Sequence, residues 1–244
     1  MNQPLMTIVM PAYNEAHRLP ITLPRVIDFI TSRPEPLDLI VVNNNSRDET
    51  RRVAERIAAE HRFVHVIDQP IPGKGAAVRA GMLAAQGAYA FICDADLAMP
   101  IEELPRFFPE NLDGPYDIAI GSREAPGARR YNEPFYRHLM GRVFNFIVRT
   151  LAVPRIQDTQ CGFKAFRREA ARDLFSRQKI DGWAFDVEVL ALAQRRGYRI
   201  IEVGIPWYYG KGSRVSPVQD SVRMFREVLR IRRNLRAGMY DDEA

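Results

Sequence analysis

Tyr89-Ala90-Phe91-Ile92-Cys93-Asp94-Ala95-Asp96-Leu97 is the stretch on which the reading of this chain turns. Its first five residues have the length and the aromatic and β-branched content of a buried strand, which then breaks into two carboxylates one residue apart. Both carboxylates fall at the strand's carboxyl end, where open α/β sheets bind their ligands. Two anions held this close need a cation beside them, and a divalent metal carrying a diphosphate meets that need. Oxygen ligands suit Mg²⁺ or Mn²⁺, and no His/Cys cluster points to zinc. On its own an Asp-x-Asp at a strand-to-loop junction is more often a solvated turn, so the neighbouring stretches decide.

Outward from that strand, the pattern up to about Gly121 alternates strand and helix four times. Thr7 to Met10, Leu39 to Val42, Phe63 to Ile67, Tyr89 to Cys93 and Asp117 to Ile120 read as strands, separated by helix-like segments of roughly ten to twenty residues. Such alternation predicts an α/β fold with a mainly parallel sheet, right-handed crossovers and a site in the loops that follow the strands. After strand one, Pro11-Ala12-Tyr13-Asn14-Glu15 presents an aromatic ring and a carboxylate. Strand two ends in Asn43-Asn44-Asn45-Ser46-Arg47-Asp48-Glu49, where Ser46 and Glu49 predict a capping box for a helix running to about Glu60. The three asparagines suit a surface that offers amide donors and acceptors to a planar ring. Gly73-Lys74-Gly75 opens a helix whose N-terminus can approach phosphate, although a simple glycine turn reads equally well. It is not a P-loop, because neither Ser nor Thr follows the lysine.

The second half is more basic. Gly121-Ser122-Arg123 through Glu133 is polar and has the look of a mobile active-site loop. A helix from Pro134 to about Leu151 sets His138, Arg142, Asn145 and Arg149 on one stripe and is otherwise nearly all apolar. That pattern fits a core helix with one wet edge or an interfacial membrane helix, the former being commoner in globular chains. Arg137 falls among the apolar positions and needs an anionic partner. Asp158-Thr159-Gln160-Cys161-Gly162-Phe163-Lys164 reads as a site loop, and a helix from about Arg168 to Arg177 follows it. Trp183-Ala184-Phe185-Asp186-Val187-Glu188 opens another, running to Arg196. Asp186 and Glu188 lie about 200° apart on a helix, so one is expected to face the site and the other to cap the helix or meet an arginine. Gly210-Lys211-Gly212-Ser213-Arg214 is a second basic glycine loop, able to fold over an anion. The last helix, Pro217 to about Arg236, aligns Val218, Val222, Phe225 and Leu229, and carries six arginines between Arg223 and Arg236. It reads as a membrane-surface helix or a solvated one.

Composition sets limits. The 244 residues, 46% of them hydrophobic, suffice for one large domain, and we expect one. Two cysteines offer no disulfide framework, so a reducing compartment is expected. The first strand starts without a basic segment, apolar core and cleavage site before it, and no signal peptide is expected. No apolar run reaches the roughly 18 to 20 residues of a membrane span. A net charge of +5 points to an anionic partner: nucleotide, lipid phosphate, membrane surface or nucleic acid.

Taken together, Pro11 to Glu15, Asn43 to Asp48, Gly73 to Gly75, Asp94 to Asp96, Gly121 to Arg123, Asp158 to Lys164, Trp183 to Glu188 and Gly212 to Arg214 resemble the family 2 glycosyltransferases. The likeness is to the branch that makes polyprenyl-phosphate sugars, typified by the dolichyl-phosphate β-glucosyltransferases, and it covers almost the whole chain in order. The resemblance implies a GT-A (Rossmann-like) domain over 1–244, with a nucleotide-sugar half at 1–121, an acceptor and catalytic half at 122–215 and a basic amphipathic helix at 216–236. It implies a UDP-sugar donor, UDP-glucose above all, inversion at the anomeric carbon, Mg²⁺ or Mn²⁺, and a dolichyl-type phosphate acceptor. By position, Pro11, Tyr13, Glu15 and Asn44 are implied to hold the nucleoside, and Asp94 and Asp96 the metal and diphosphate. Three departures stand out: asparagines at 43 and 44 where relatives carry aspartates, Ala98 where many have a glutamine, and no membrane spans. Attachment to the cytoplasmic face of a membrane is therefore expected to be peripheral or through a partner.

The chemistry narrows the roles. A phosphate monoester with a second pKa near 6 is largely dianionic at pH 7, so it attacks a sugar without losing a proton to a strong base. The site must instead bring two anions together, with a metal on the leaving group and arginines on the nucleophile. Arg123, Arg137 and Arg214 are the candidates, with Lys211 next and Lys74 on the donor phosphates, while Asp158 and Asp186 orient hydroxyls or the attacking group. A soluble transferase of the same fold acting on a hydroxyl would instead need Asp158 or Asp186 as a true base. A nucleotidyltransferase would need a glycine-rich, arginine-bearing loop where Pro11 to Glu15 stands. A non-catalytic membrane- or nucleic-acid-binding protein would leave the carboxylates unexplained.

Overall fold

The computed structural model describes residues 3–112, 114–210 and 217–241, the side chains of Arg137, Phe144 and residues 217–221 excepted. The apolar runs become β1 (Met6–Ala12), β2 (Leu37–Asn44), β3 (Val64–Gln69), β4 (Tyr89–Ile92) and β5 (Ile118–Ser122). Between the first four lie α1 (Leu19–Thr31), α2 (Thr50–Ala58) and α3 (Lys74–Ala84). The fourth connection differs from the expected helix. It is built of 3-10 turns at Ile101–Phe107 and Pro109–Asn111, because Pro105 and Pro109 lack the amide hydrogens an α-helix would use there.

The later chain adds β6 (Arg129–Tyr131), α4 (Phe135–Leu151), β7 (Lys164–Arg167), α5 (Arg168–Arg177), α6 (Phe185–Arg195), β8 (Ile200–Gly204), β9 (Pro206–Tyr208) and α7 (Pro217–Arg236). The main sheet runs β3-β2-β1-β4-β7-β5-β8. Within it β7 alone is antiparallel, wedged between β4 and β5. The chain steps from β1 outward to β2 and β3, then returns to pair β4 on the other side of β1. That reversal opens a crevice at the carboxyl ends of β1 and β4, where the Asp94–Asp96 loop emerges.

Alternating side chains fill two apolar layers, one on each face of the sheet. Ile8, Met10, Leu39, Val41 and Phe91 face α1 and the 3-10 turns. Val9, Ile40, Val42, Ala90 and Ile92 face α3, α5 and α6. A sheet covered on both faces explains why its central strands read as unbroken apolar runs.

Four local expectations change. The Ser46/Glu49 capping box does not form: Ser46 Oγ accepts the Asn14 amide across the crevice, and Asp48 caps the turn by accepting the Thr50 amide. The 121–133 stretch is not a loose loop, since it holds β6, which pairs with β9 and stacks Tyr131 on Tyr208 at 4.5 Å. Glu188 does not cap α6; its buried carboxylate accepts the Lys179 and Ile180 amides and the Tyr240 hydroxyl, and the Arg230 charge acts on it without a direct ion pair among the described residues. α4 is turned opposite to a core helix: Phe135, Tyr136, Leu139, Val143 and Phe146 are exposed, while Asn145 and Val148 are buried. Arg142 and Arg149 flank that apolar stripe. α7 lies against α4 and adds exposed Val222, Phe225 and Leu229, with Met224, Val228 and Ile231 turned inward. No helix among the described residues is long and apolar enough to cross a membrane.

Candidate active site

The strand ends are stitched before any side chain is aimed. The Asn14 amide donates to Ser46 Oγ, the Glu15 amide to Thr50 Oγ1 at 2.6 Å, and the Arg47 amide to Asn14 Oδ1. Three non-glycine residues, Asn14, Asn45 and Leu97, take left-handed φ values of 51°, 50° and 47° just beyond β1, β2 and β4. Asparagine adopts this conformation readily, whereas Leu97, a bulky residue beside the Asp94–Asp96 pair, carries strain of about 1 kcal/mol or more there. Pro11 lies in β1, Tyr13 is exposed on the loop beyond it, and Glu15 pairs with Arg18 at 2.5 Å.

Asn44 behaves differently from its expected role. It is buried, donates to the Gln69 and Ile71 carbonyls, and accepts the Gly73 amide through Oδ1. It fixes the loop that leads into α3 and turns no polar edge toward the crevice. Asn43 is likewise turned onto Asp68.

That loop delivers Lys74 at the first turn of α3. Its ammonium lies 2.7 Å from Asp94 Oδ1 and 5.3 Å from the Trp183 ring. Burial works against the ammonium, but Asp94, Asp186 and Asp96 outweigh it and its pKa is raised. Desolvation, reinforced by the Asp94 charge, raises the Asp96 carboxyl in turn. Asp94 Oδ2 packs against Gly162, where an added Cβ would collide with the carboxylate. The glycine of the Asp158–Lys164 stretch thereby lets a backbone close on the Asp94 carboxylate.

Beneath this pair lies a second one. Lys164, fully buried at the start of β7, reaches Asp186 Oδ1 at 2.7 Å and also donates to the Cys161 carbonyl. Burial raises the Asp186 carboxyl, with Lys164 and Lys74 opposing. Carboxylates and ammonium groups therefore alternate from Asp94 through Lys74 and Asp186 to Lys164.

Asp158 is held elsewhere. Arg123 grips it through Nε at 2.7 Å and Nη2 at 2.9 Å, and the Arg123 amide adds a third bond. Burial alone would lift the Asp158 carboxyl, but the guanidinium overrides it and holds it at about 2. Trp207 lies under the Arg123 and Arg130 guanidinium groups at 5.3 and 5.8 Å. The Arg137 side chain, Lys211 and Arg214 lie outside the described residues, so their expected anion contacts are not placed.

The crevice thus gathers Tyr13, Glu15, Lys74, Asp94, Asp96 and Asp186, with Arg123 and Asp158 tied to one another. Sequence reading gave no role to Lys164, Trp183, Arg18 or Glu227. Lys164 and Trp183 stood inside stretches already singled out, so the signal was present but unassigned. Glu227 was the lone acid among six arginines, and it accepts the Ala184 amide at 3.1 Å.

Among the described residues no group of three His, Cys, Asp or Glu could hold a metal by itself. Two hard carboxylate donors fit an ion whose remaining ligands come from a diphosphate and water, which is how Mg²⁺ and Mn²⁺ are usually held. The Lys74 ammonium against Asp94 shows that the carboxylate accepts a cation at this spot.

The family model described as glycosyl transferase family 2 matches residues 7–175. A dolichyl-phosphate β-glucosyltransferase of Trichomonas vaginalis is 34% identical over 96% of this chain and 72% of its own length. The Drosophila melanogaster protein of the same name is 35% identical, over 93% and 74%, and the human one 31%, over 96% and 77%. The fold matches glucosyl-3-phosphoglycerate synthase from Mycobacterium tuberculosis, solved with UDP, at a TM-score of 0.68 and 22% identity, over 99% of this chain and 82% of that one. The GT-A-like sheet, the carboxylate pair at its switch point and relatives along nearly the whole length agree: this chain is a glycosyltransferase and belongs to glycosyltransferase family 2.

Proposed function

We propose that this protein is an inverting transferase that moves glucose from UDP-glucose onto a polyprenyl phosphate of the dolichyl type, working peripherally at the cytoplasmic face of a membrane. The observation that carries the acceptor class is the state of its two candidate bases. Asp158 is clasped by Arg123 and held at about 2, and Asp186 is buried on Lys164. A carboxylate held that low does not suit the removal of a proton from an alcohol at neutral pH, and Asp186, though burial raises its carboxyl, is engaged at Oδ1 by the Lys164 ammonium; a phosphate acceptor needs no such base. The names of the curated relatives support the same acceptor and sugar. The mycobacterial neighbour was solved with Mn²⁺ and UDP-glucose, in keeping with the donor and a divalent metal.

In this reading residues 1–121 bind the nucleotide sugar. Tyr13 and Glu15 border the nucleoside, while Asp94 and Asp96 hold the metal. When bound, that ion neutralises the diphosphate leaving group. Lys74 supplies a further positive charge to the donor phosphates. Residues 122–215 handle the acceptor: Asp158 occupies Nε and Nη2 of Arg123 and leaves its Nη1 edge to the incoming phosphate, which Arg137 and Arg214 also serve. Asp186, held in place by Lys164, orients a sugar hydroxyl. The exposed apolar stripes of α4 and α7, with their arginines, rest on the bilayer that carries the acceptor.

The test is to incubate the protein with a nucleotide-sugar panel, Mn²⁺ and a polyprenyl phosphate, then extract lipid-linked sugar. Arg137→Ala is expected to weaken acceptor use by about 1.5 to 3 kcal/mol, the worth of a charge-assisted hydrogen bond, with donor binding near normal. Transfer to a soluble alcohol that dies with Asp158→Asn or Asp186→Asn, alongside unaltered Arg137→Ala, would favour the hydroxyl-acceptor reading.

A further inference from the structure

The two oxygens of Asp94 have different surroundings. Oδ2 is pressed against Gly162, and Oδ1 faces the Lys74 ammonium at 2.7 Å. A metal joining Asp94 therefore arrives at an oxygen that already carries a cation. Two cations on one carboxylate oxygen repel strongly in a half-buried crevice, so one must give way. The lysine is the mobile one, being a four-carbon stem with a rotatable head.

We propose that Lys74 is a built-in counter-cation that holds Asp94 in place until the metal arrives, then moves its charge onto the donor diphosphate. This rests on the reading that Asp94 and Asp96 hold the metal. It goes further in making lysine and metal competitors in the empty crevice and partners in the loaded one. The surroundings favour a short move: Lys74 stands at the first turn of α3, and Trp183 flanks its head group at 5.3 Å. Asp186 stays behind with Lys164, so the lower pair keeps its balance when the upper one opens.

A lysine that served only as a phosphate ligand would leave nucleotide-free metal binding untouched. The competition predicts opposite signs for two affinities. In Lys74→Met, Mn²⁺ should bind the nucleotide-free protein about fivefold tighter or more, while UDP at saturating Mn²⁺ should bind about tenfold weaker, within the usual span of coupled sites. Lys74→Arg, which keeps the charge, should restore nucleotide-free Mn²⁺ binding toward the wild-type value. Free Mn²⁺ is read by electron paramagnetic resonance and UDP by titration calorimetry, on the full chain. Lys74→Gln serves as a second neutral variant should the methionine fail to fold. Nucleotide-free Mn²⁺ binding that is unchanged or weaker in the neutral variants overturns the competition and leaves the metal site standing. Wild-type Mn²⁺ binding that ignores Asp96→Asn overturns the metal site itself, and the competition with it.

Discussion

Phe135 and Phe146 sit three helical turns apart on the outward stripe of α4, 80% and 70% exposed. Fully burying a phenylalanine side chain is worth about 1.5 to 3 kcal/mol, so burying what these two still show gives about 1 to 2 kcal/mol each. Replacing both with serine should therefore cost the bilayer-bound state about 2 to 4 kcal/mol, or about 30- to 1,000-fold in partitioning. The folded state should hardly notice, because substitutions of exposed side chains usually move stability by no more than about 0.5 kcal/mol. The assay is sedimentation with anionic vesicles, with a thermal melt on the same samples. Raising salt should release the wild type as well, since each arginine near the surface adds about 1 kcal/mol that ions screen. A double variant that sediments within about threefold of wild type at equal salt would falsify the assignment of this stripe to the membrane, as would equal binding to neutral vesicles for the arginines.

Two further outcomes follow from the crevice. Gly162→Ala should push Asp94 aside, because the new methyl falls on its carboxylate; we expect Mn²⁺-dependent UDP binding to drop about tenfold or more, for a stability loss of about 1 to 3 kcal/mol. Titration with and without Mn²⁺ separates the two effects. Asp158, at about 2 in the folded protein against an ordinary 3.8, adds stability that is complete above about pH 4 and lost as pH falls toward 2. Denaturation curves across that window should show about 2 kcal/mol from this group, and the Arg123→Met/Asp158→Asn pair should lack that contribution.

The first five strands were legible because a sheet covered on both faces needs continuous apolar runs, and Met6 to Met10 or Leu39 to Val42 can hardly be anything else. β7 escaped because it is four residues long and opens with Lys164, a charge whose burial is explained chiefly by Asp186, 22 positions away. β6 and β9 escaped for a related reason, since neither short segment has apolar alternation and each is a strand only through the other. Asn44 was legible as important and misread in direction. Its amide faces the chain's own Gly73 and Ile71, a consequence of the β2–β3 register that no local pattern reveals. Asp158 could be picked out as a site carboxylate, but its ionisation depends on Arg123, 35 residues earlier in the chain. The apolar run of α4 was visible too, while its outward direction was decided by where α7 and the sheet leave room.

α7 has a consequence for anyone wishing to handle this enzyme in water. One side of the helix is greasy and arginine-rich, inviting removal; the other carries Glu227 to the Ala184 amide and Met224 to the Gln160 side chain. Those two contacts touch the segments on either side of the crevice, and Gly182 is small because the Glu227 carboxylate fills the space a side chain would take. Cutting the chain before Pro217 would unfasten both segments together with the exposed apolar stripe. A water-loving variant should instead keep the helix and redraw only its outer rows, at Val222, Phe225 and Leu229.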